Sequence, residues 1–350
     1  MQVPDTIDGA SWEVFEEYVT VRNAVESHTM GTDLLDMSSP DIWSEYRDNP
    51  YRTRRHFAVW QDGAIIGHGI VTLRPTQPET GSHLMADILP EHRRKGIGSA
   101  LYEVVERVAL EAGSPVLKVN VPHVATAGGE RVASPTGFGD LPADDDGVRF
   151  LLSRGYALEQ ISRISLLDTA GLARRLAPMR EAAAAAAGDD YRVVTWTGPT
   201  PDRWLGDLAE LRTRMSTDAP LGGLVMTVDE WDVERVREHD DRIAESGRTI
   251  LTAAAEHVPS GSLVAFSELV LSDGKPVATQ EDTLVLATHR GHRLGMLVKT
   301  AAAGMLLVQA PEREAIVTWN AEENRPMLDV NEAMGFRAIG YEGAWQKKRE

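Results

Sequence analysis

The chain contains no cysteine. Disulfides, thiolate metal sites, a cysteine nucleophile and an acyl-cysteine intermediate are therefore excluded. The absence fits a reducing compartment, and the reading is a cytoplasmic protein. No apolar run approaches the roughly 20 residues of a membrane span. The acidic start MQVPDTIDGASWEVFEEYV has no apolar secretion core. No membrane partner is expected. A basic excess is missing as well: 53 acidic residues against 36 basic ones leave a net charge of −17. Nucleic-acid binding usually needs a basic face, so no nucleic-acid partner is expected. The acidic surface either keeps the chain soluble or draws in a cationic amine. H-E-x-x-H metal motifs and the G-x-S-x-G nucleophile turn are both missing, so no metal is expected. No motif speaks to oligomeric state.

What is present is enough apolar material, 42% over 350 residues, for a core and for two domains of ordinary size. Apolar periodicity predicts helices over 11–29, 40–49 and 98–112. The run HFAVWQDGAIIGHGIVTLRP, 56–75, reads as a hairpin turning at Asp62-Gly63. Strands follow at 83–89 and 115–123. A short helix, a glycine stop and a last strand fill 148–168. The Gly-, Ala-, Pro- and Asp-rich stretch 124–147 is expected to be a long loop, either a substrate lid or a mobile insert. Residues 169–190 read as an alanine-rich helical linker interrupted at Pro178. The order then recurs: strand 191–196, helices 201–215 and 227–245, a hairpin, strand 278–287, helix 294–309, strand 314–320, helix 324–336 and a final strand. The expected division is 1–168, linker 169–190, and 191–350.

The recurrence is measurable. Arg93 to Arg290 and Gly98 to Gly295 are both 197 positions apart, while the glycine stops Gly155 and Gly335 are 180 apart. Equal spacing around one turn, with the slippage taken up by the 124–147 segment, is the pattern of a duplicated domain with one insertion. At the centre of each copy a strand runs through R-x-x-G-x-G into a helix. Such a turn presents free backbone N–H groups and the positive end of a helix dipole to an anion, and glycine lets phosphate oxygens come close. The spacing is neither a P-loop nor G-x-G-x-x-G.

LPEHRRKGIGSALYEVVE resembles the acetyl-CoA-binding motif of the GNAT superfamily of N-acetyltransferases. TWNAEENRPMLDVNEAMGF resembles that superfamily's later strand–Asn–helix–Gly-Phe segment. Together they cover both halves, as in tandem GNAT proteins of actinobacterial type, an architecture similar to that of mycothiol synthase. The resemblance implies an α/β fold, two tandem GNAT-like domains with mixed, splayed sheets and acetyl-CoA as co-substrate beside the fourth strand. Ile88 and Leu89 would contact the cofactor arm through backbone groups. Arg93, Arg94, Lys95, Gly96, Ile97, Gly98 and Ser99 would cradle its pyrophosphate. In the second copy Val285 and Leu286 take the strand positions, and Arg290, Gly291, His292, Arg293, Leu294 and Gly295 the turn. Arg293 departs from the pattern by replacing its first glycine. Asn320 matches the superfamily's cofactor- or substrate-contacting Asn.

The implied chemistry is direct attack of a small-molecule primary amine on the thioester, which needs a base and, in similar enzymes, a tyrosine acid. The acid positions here are Leu151 and Asn331. Base candidates are Glu281 and Asp282, which strand alternation sends to opposite faces, so that only one, preferably Glu281, faces the cleft. His83 and Asp87 are the counterparts in the first half. Asp218 is a candidate receiver of a cationic amine. The second half is the preferred seat of catalysis. Two alternatives stand: a non-catalytic acyl-CoA sensor, and acetylation of a cysteinyl amino sugar as in mycothiol synthase.

Overall fold

The computed structural model describes residues 1–124 and 128–349. The first half opens with helices α1 (Gly9–Met30) and α2 (Ser39–Tyr46), followed by strands β1 (Thr53–Gln61), β2 (Ala64–Leu73) and β3 (Ser82–Ile88). Asp62 and Gly63, between β1 and β2, both have positive φ (52° and 86°), the geometry of the predicted two-residue hairpin turn. Helix α3 (Ile97–Glu111), β4 (Val116–Val124), a small hairpin of β5 (Arg131–Ala133) and β6 (Asp140–Pro142), α4 (Asp146–Ser153) and β7 (Ala157–Asp168) complete this half.

Helix α5 (Leu172–Ala187) leads to the second half: β8 (Tyr191–Thr197), α6 (Leu205–Asp218), α7 (Val233–Glu245), β9 (Thr249–His257), β10 (Ser262–Leu271), β11 (Val277–Val285), α8 (Leu294–Gln309), β12 (Ala315–Ala321), α9 (Arg325–Met334) and β13 (Arg337–Lys348).

Three expectations are corrected. The 124–147 stretch is not simply a loop. Residues 125–127 lie outside the described residues, but β5 and β6 pair, and Leu141 is fully buried in the core with Ile161 and Trp345. Helix α5 runs through Pro178 without the interruption expected there. The acidic helix begins at Val233, capped by Asp232, rather than at 227, because the Asp232 carboxylate accepts from the Arg235 N–H.

Eleven strands form one mixed sheet in the order β1-β2-β3-β4-β13-β7-β12-β11-β10-β9-β8. The two halves exchange their last strands. β13 of the second half lies between β4 and β7, and β7 of the first half lies between β13 and β12. The residues fit this central place. β7 buries Ile161, Ile164 and Leu167, and β13 buries Trp345, all fully enclosed.

Among the described residues, only two strand pairs are parallel, β3–β4 and β11–β12. Each is paired for a few residues, Ser82–His83 with Leu117–Lys118 and Val277–Thr279 with Ala315–Val317, and then the strands part. Each half therefore carries a V-shaped gap beside its fourth strand, as the resemblance implied. Helices cover both faces: α1 and α2 pack on Ile65 and Ile70, α3 on Val71 and Leu84, α6 and α7 on Phe266 and Leu284, and α8 on Ala265 and Val264.

Candidate active site

The two glycine turns have the same shape built from exchanged residues. In the first, Arg94 (φ 60°) and Gly96 (φ 82°) are left-handed; in the second, Gly291 (φ 90°) and Arg293 (φ 56°) are. The paired positions are 197 apart, so glycine and arginine have traded places. A Cβ built on Gly96 meets nothing within 4 Å, so Arg293 at the matching position has room and its side chain is exposed. The backbone strain of a left-handed arginine, about 1–2 kcal/mol, is carried once in each turn.

Arg93 and Arg290 brace the turns. Arg93 Nε donates to the Ile88 carbonyl at 3.0 Å, and Arg290 Nε to the Val285 carbonyl at 3.2 Å. Helices α3 and α8 then start with no side-chain cap. Their first N–H groups, at Ile97, Gly98 and Ser99 and at Leu294, Gly295 and Met296, are left for an external acceptor. A Cβ on Gly98 would meet only Ile88 at 3.6 Å, and one on Gly295 only Val285 at 3.8 Å. The protein itself would tolerate a side chain at either place. The glycines instead keep open a cradle that a Cβ would fill, and this fits a pyrophosphate. Lys95 Nζ donates to the Glu91 carbonyl, and Arg94 faces Asp146 at 3.5 Å. The arm contacts expected of Ile88, Leu89, Val285 and Leu286 are partly committed elsewhere. The Leu89 N–H donates to Ile66, the Leu286 N–H to Val264, and the carbonyls of Ile88 and Val285 hold the bracing arginines.

Below the second turn, β11 carries a bulge. Ser267 pairs with Thr283 and Leu269 with Gln280, so that Glu281 and Asp282 together oppose Glu268. This corrects the alternation argument. The extra residue turns both carboxylates to one side, and Glu281, Asp282 and Glu268 line one cavity of about 370 Å³. Gln280 fixes the bulge, its Nε2 donating to Ser267 Oγ and to the Glu268 carbonyl, while Thr318 Oγ1 donates to the Gln280 carbonyl. The bulge sits where β11 leaves β12.

Two of the three carboxylates share one buried guanidinium. Arg212 on α6 reaches Glu268 at 2.7 Å and Asp282 at 3.3 Å. Among the described residues, Glu281 has no cation within 4 Å. Glu281 is exposed at the cavity; the surrounding protein raises its pKa to about 7 by desolvation, with Asp282, Glu45 and Glu268 pushing the same way and Arg248 opposing. Burial likewise lifts Glu268 to about 7 against the pull of Arg212. Carboxylates crowded this closely favour holding a proton among them near neutrality. Glu281, unpaired and open to the cavity, is the member free to exchange it.

The other predicted residues fall as follows. Asp218 does not stand free for an amine; it pairs with Arg290 at 2.8 Å and ties the end of α6 to the second turn. Asn320 accepts from Asn331 Nδ2 at 2.7 Å, so the two carboxamides brace strand β12 against α9. Leu151 is buried core. In the first half His83 is pushed down to about 3 by burial and by Lys118, Arg74 and Arg52, and a group with that pKa is a poor base at neutral pH. Asp87 faces His68 at 3.3 Å. Tyr18 and Tyr46 pack against His56 there, and Tyr18 also against His68, so aromatic rings occupy the region where the second half has its acids.

Residues that the motif reading missed include Arg212, Glu268, Tyr51 and Trp231, all on the cavity wall. One signal was available: Arg212 interrupts the apolar helical face of Leu208, Leu211 and Met215. Among the described residues no cluster of three or more His, Asp or Glu side chains is arranged to hold a metal, and no helix is long and apolar enough to cross a membrane.

Residues 21–127 match the acetyltransferase (GNAT) family model. No curated protein matches the sequence. Among solved structures, the chain is similar to a tandem GNAT protein from the clavulanic acid biosynthesis pathway, with 23% identity, TM-score 0.73, and 96% of this chain and 95% of that one covered. It is also similar to a GCN5-related N-acetyltransferase from Sphaerobacter thermophilus, with 12% identity, TM-score 0.62, and 96% and 93% covered. A third is the GCN5-related glucosamine N-acetyltransferase region of a fungal multi-domain GH3 β-N-acetylglucosaminidase, with 13% identity, TM-score 0.57, and 94% of this chain against 37% of that one. Residues 21–127 thus match a GNAT-family acetyltransferase model, and the whole chain shares the fold of a tandem GNAT protein.

Proposed function

We propose that the chain is an acetyl-CoA-dependent N-acetyltransferase that acetylates a primary amine of a small molecule, with the second half doing the chemistry. The observation that carries this reading is Glu281: a carboxylate with a pKa near 7, unpaired, in a cavity beside the point where β11 and β12 part. Bound acetyl-CoA would supply the acyl thioester. The N-terminal amides of α8 would hold its pyrophosphate, and those of α3 offer a second, equivalent cradle. Glu281 takes a proton from the incoming ammonium, freeing its lone pair for the acyl carbon. Glu281 hands that proton to water. As the new N–C bond forms the C–S bond breaks, the sulfur leaves as thiolate, and the nitrogen gives up its second proton to Glu281 and so to water, leaving the neutral amide. A pKa near the working pH suits this two-way task. No tyrosine stands at the acid position of either half, since Leu151 is core and Asn331 is bonded to Asn320. The thiolate therefore leaves without a general acid. That same lack is what favours the second reading, a non-catalytic acyl-CoA-binding protein.

Thiol release from acetyl-CoA, followed over a panel of amines, separates the two. With Glu281→Gln we expect kcat to fall by about 10²-fold or more, and the acid limb of the wild-type pH profile near 7 to disappear. Calorimetric titration of acetyl-CoA into Gly98→Glu and Gly295→Glu proteins reports which cradle binds. Full activity in Glu281→Gln removes the proposed base; failure of the folded wild type to bind acetyl-CoA removes the transferase reading.

A further inference from the structure

The cavity has a second pole that proton transfer does not use. Six arginines line it, and four are engaged. Arg212 holds Glu268 and Asp282, and Arg235 holds Asp229 while stacked on Tyr51 and Trp231. Arg248 lies near Asp41 and Glu45, and Arg54 donates to the Arg47 carbonyl over the ring of Tyr46. Among the described residues, Arg52 and Arg242 have no acid within 4 Å.

These two cations come from different halves. Arg52 precedes β1 in the turn closed by the Asn49–Arg52 bridge, and Arg242 is on α7. The halves are fastened there: Ser44 Oγ donates to the Arg242 carbonyl at 2.8 Å, and Arg47 pairs with Glu245 at 3.0 Å. Burial together with Arg52 and Arg242 brings Arg54 down to about 10. Burial also lowers Arg242, with Arg47 and Arg52 adding to it and Glu238 and Glu245 opposing. The groups acting most strongly on Glu281 are Asp282, Glu45, Glu268 and Arg248. One wall thus presents an unpaired carboxylate and another presents unpaired guanidinium groups. The cavity volume is in the range of small-molecule sites.

We infer that the acceptor is an amine that also carries a carboxylate, as in an amino acid or short peptide, with the carboxylate held by Arg52 and Arg242 and the amine turned to Glu281. The inference rests on the transferase reading for its amine end. Guanidinium groups suit a carboxylate because their fork matches its two oxygens. The first half then completes the acceptor site of the second.

The test uses the full-length protein and matched acceptors: β-alanine, L-lysine and glycylglycine against their carboxamides. Thiol release should favour the acids at least ten-fold in kcat/KM. Arg52→Met and Arg242→Met should each raise KM for the acids at least ten-fold and collapse the acid-to-amide ratio towards one. Binding is read separately, without acetyl-CoA, as quenching of wild-type fluorescence by the acids minus that of a Trp231→Phe protein. Arg242→Met should abolish this difference. Equal use of acids and amides, or an unchanged ratio in both arginine variants, overturns the inference and leaves the transferase reading intact. If no amine is acetylated but the acids still quench Trp231 through Arg242, the anion site stands and the transferase reading falls. Neither turnover nor quenching by any acid overturns the inference.

Discussion

Replacing Arg212 with methionine tests the electrostatic logic of the cavity through stability alone. Arg212 and Glu268 are both nearly inaccessible, 5% and 4% exposed in their side chains, and 2.7 Å apart. Methionine keeps much of the stem and its packing on Phe266, but leaves Glu268 without a counter-charge. Breaking a buried pair from one side costs about 3–5 kcal/mol. The loss must depend on pH, and its sign follows from the carboxylates. The native pKa of Glu268 is about 7, above its ordinary value of 4.5. Between those values the native state keeps a proton that the unfolded chain has released. This contribution to stability is therefore full below about 4.5 and drains as pH rises through 7. Without Arg212 the native pKa rises further, so the drain continues above 7 at about 1.4 kcal/mol per pH unit for each carboxylate that stays protonated. Urea unfolding followed by circular dichroism should show Arg212→Met less stable by about 3–5 kcal/mol at pH 8 and by about 1–3 kcal/mol less than that at pH 6. Adding Glu268→Leu should recover much of the loss, a coupling of about 2 kcal/mol or more. A loss under about 1 kcal/mol at pH 8, or one equal at both pH values, refutes the reasoning.

The exchange of β7 and β13 implies that the halves do not fold apart. Fragments 1–190 and 191–350 should each lack a cooperative melt and should assemble one-to-one on mixing, read by size exclusion and circular dichroism; a native-like 1–190 alone would contradict this. In the second turn, Arg293→Gly relieves about 1–2 kcal/mol of left-handed strain but adds about 0.5–1 kcal/mol of unfolded-state freedom, so its thermal stability should rise by about 1 kcal/mol or less. Its affinity for acetyl-CoA should stay within about three-fold of wild type (~0.6 kcal/mol). A ten-fold gain in affinity would show that the arginine does crowd the cradle.

Local chemistry was legible in the sequence wherever one residue decides the backbone. Asp62-Gly63 announces its turn, Gly155 and Gly335 announce helix ends, and the R-x-x-G-x-G spacing announces two uncapped helix starts. What depends on partners chosen across the chain was not legible. β7 and β13 carry similar alternating patterns, and nothing local says that each pairs in the other half. The bulge at Glu281 and Asp282 turns on Gln280, whose role needs Ser267 and Glu268 beside it. Asp218 looked free because its partner Arg290 is 72 residues away. Separation along the chain also hid the cationic pole of the cavity, because its two arginines come from α7 and from the turn before β1, on either side of the duplication. A motif search reads each copy alone and finds two cofactor turns. Charge is what differs between the copies: in the first, Asp87 faces His68, whose burial favours the neutral ring, while in the second Glu281 stands beside Asp282 and Glu268. With the same backbone twice and carboxylates gathered once, the asymmetry of the pair rests on side chains of the fourth strand, and the conserved shape of both turns does not by itself assign the chemistry to either half.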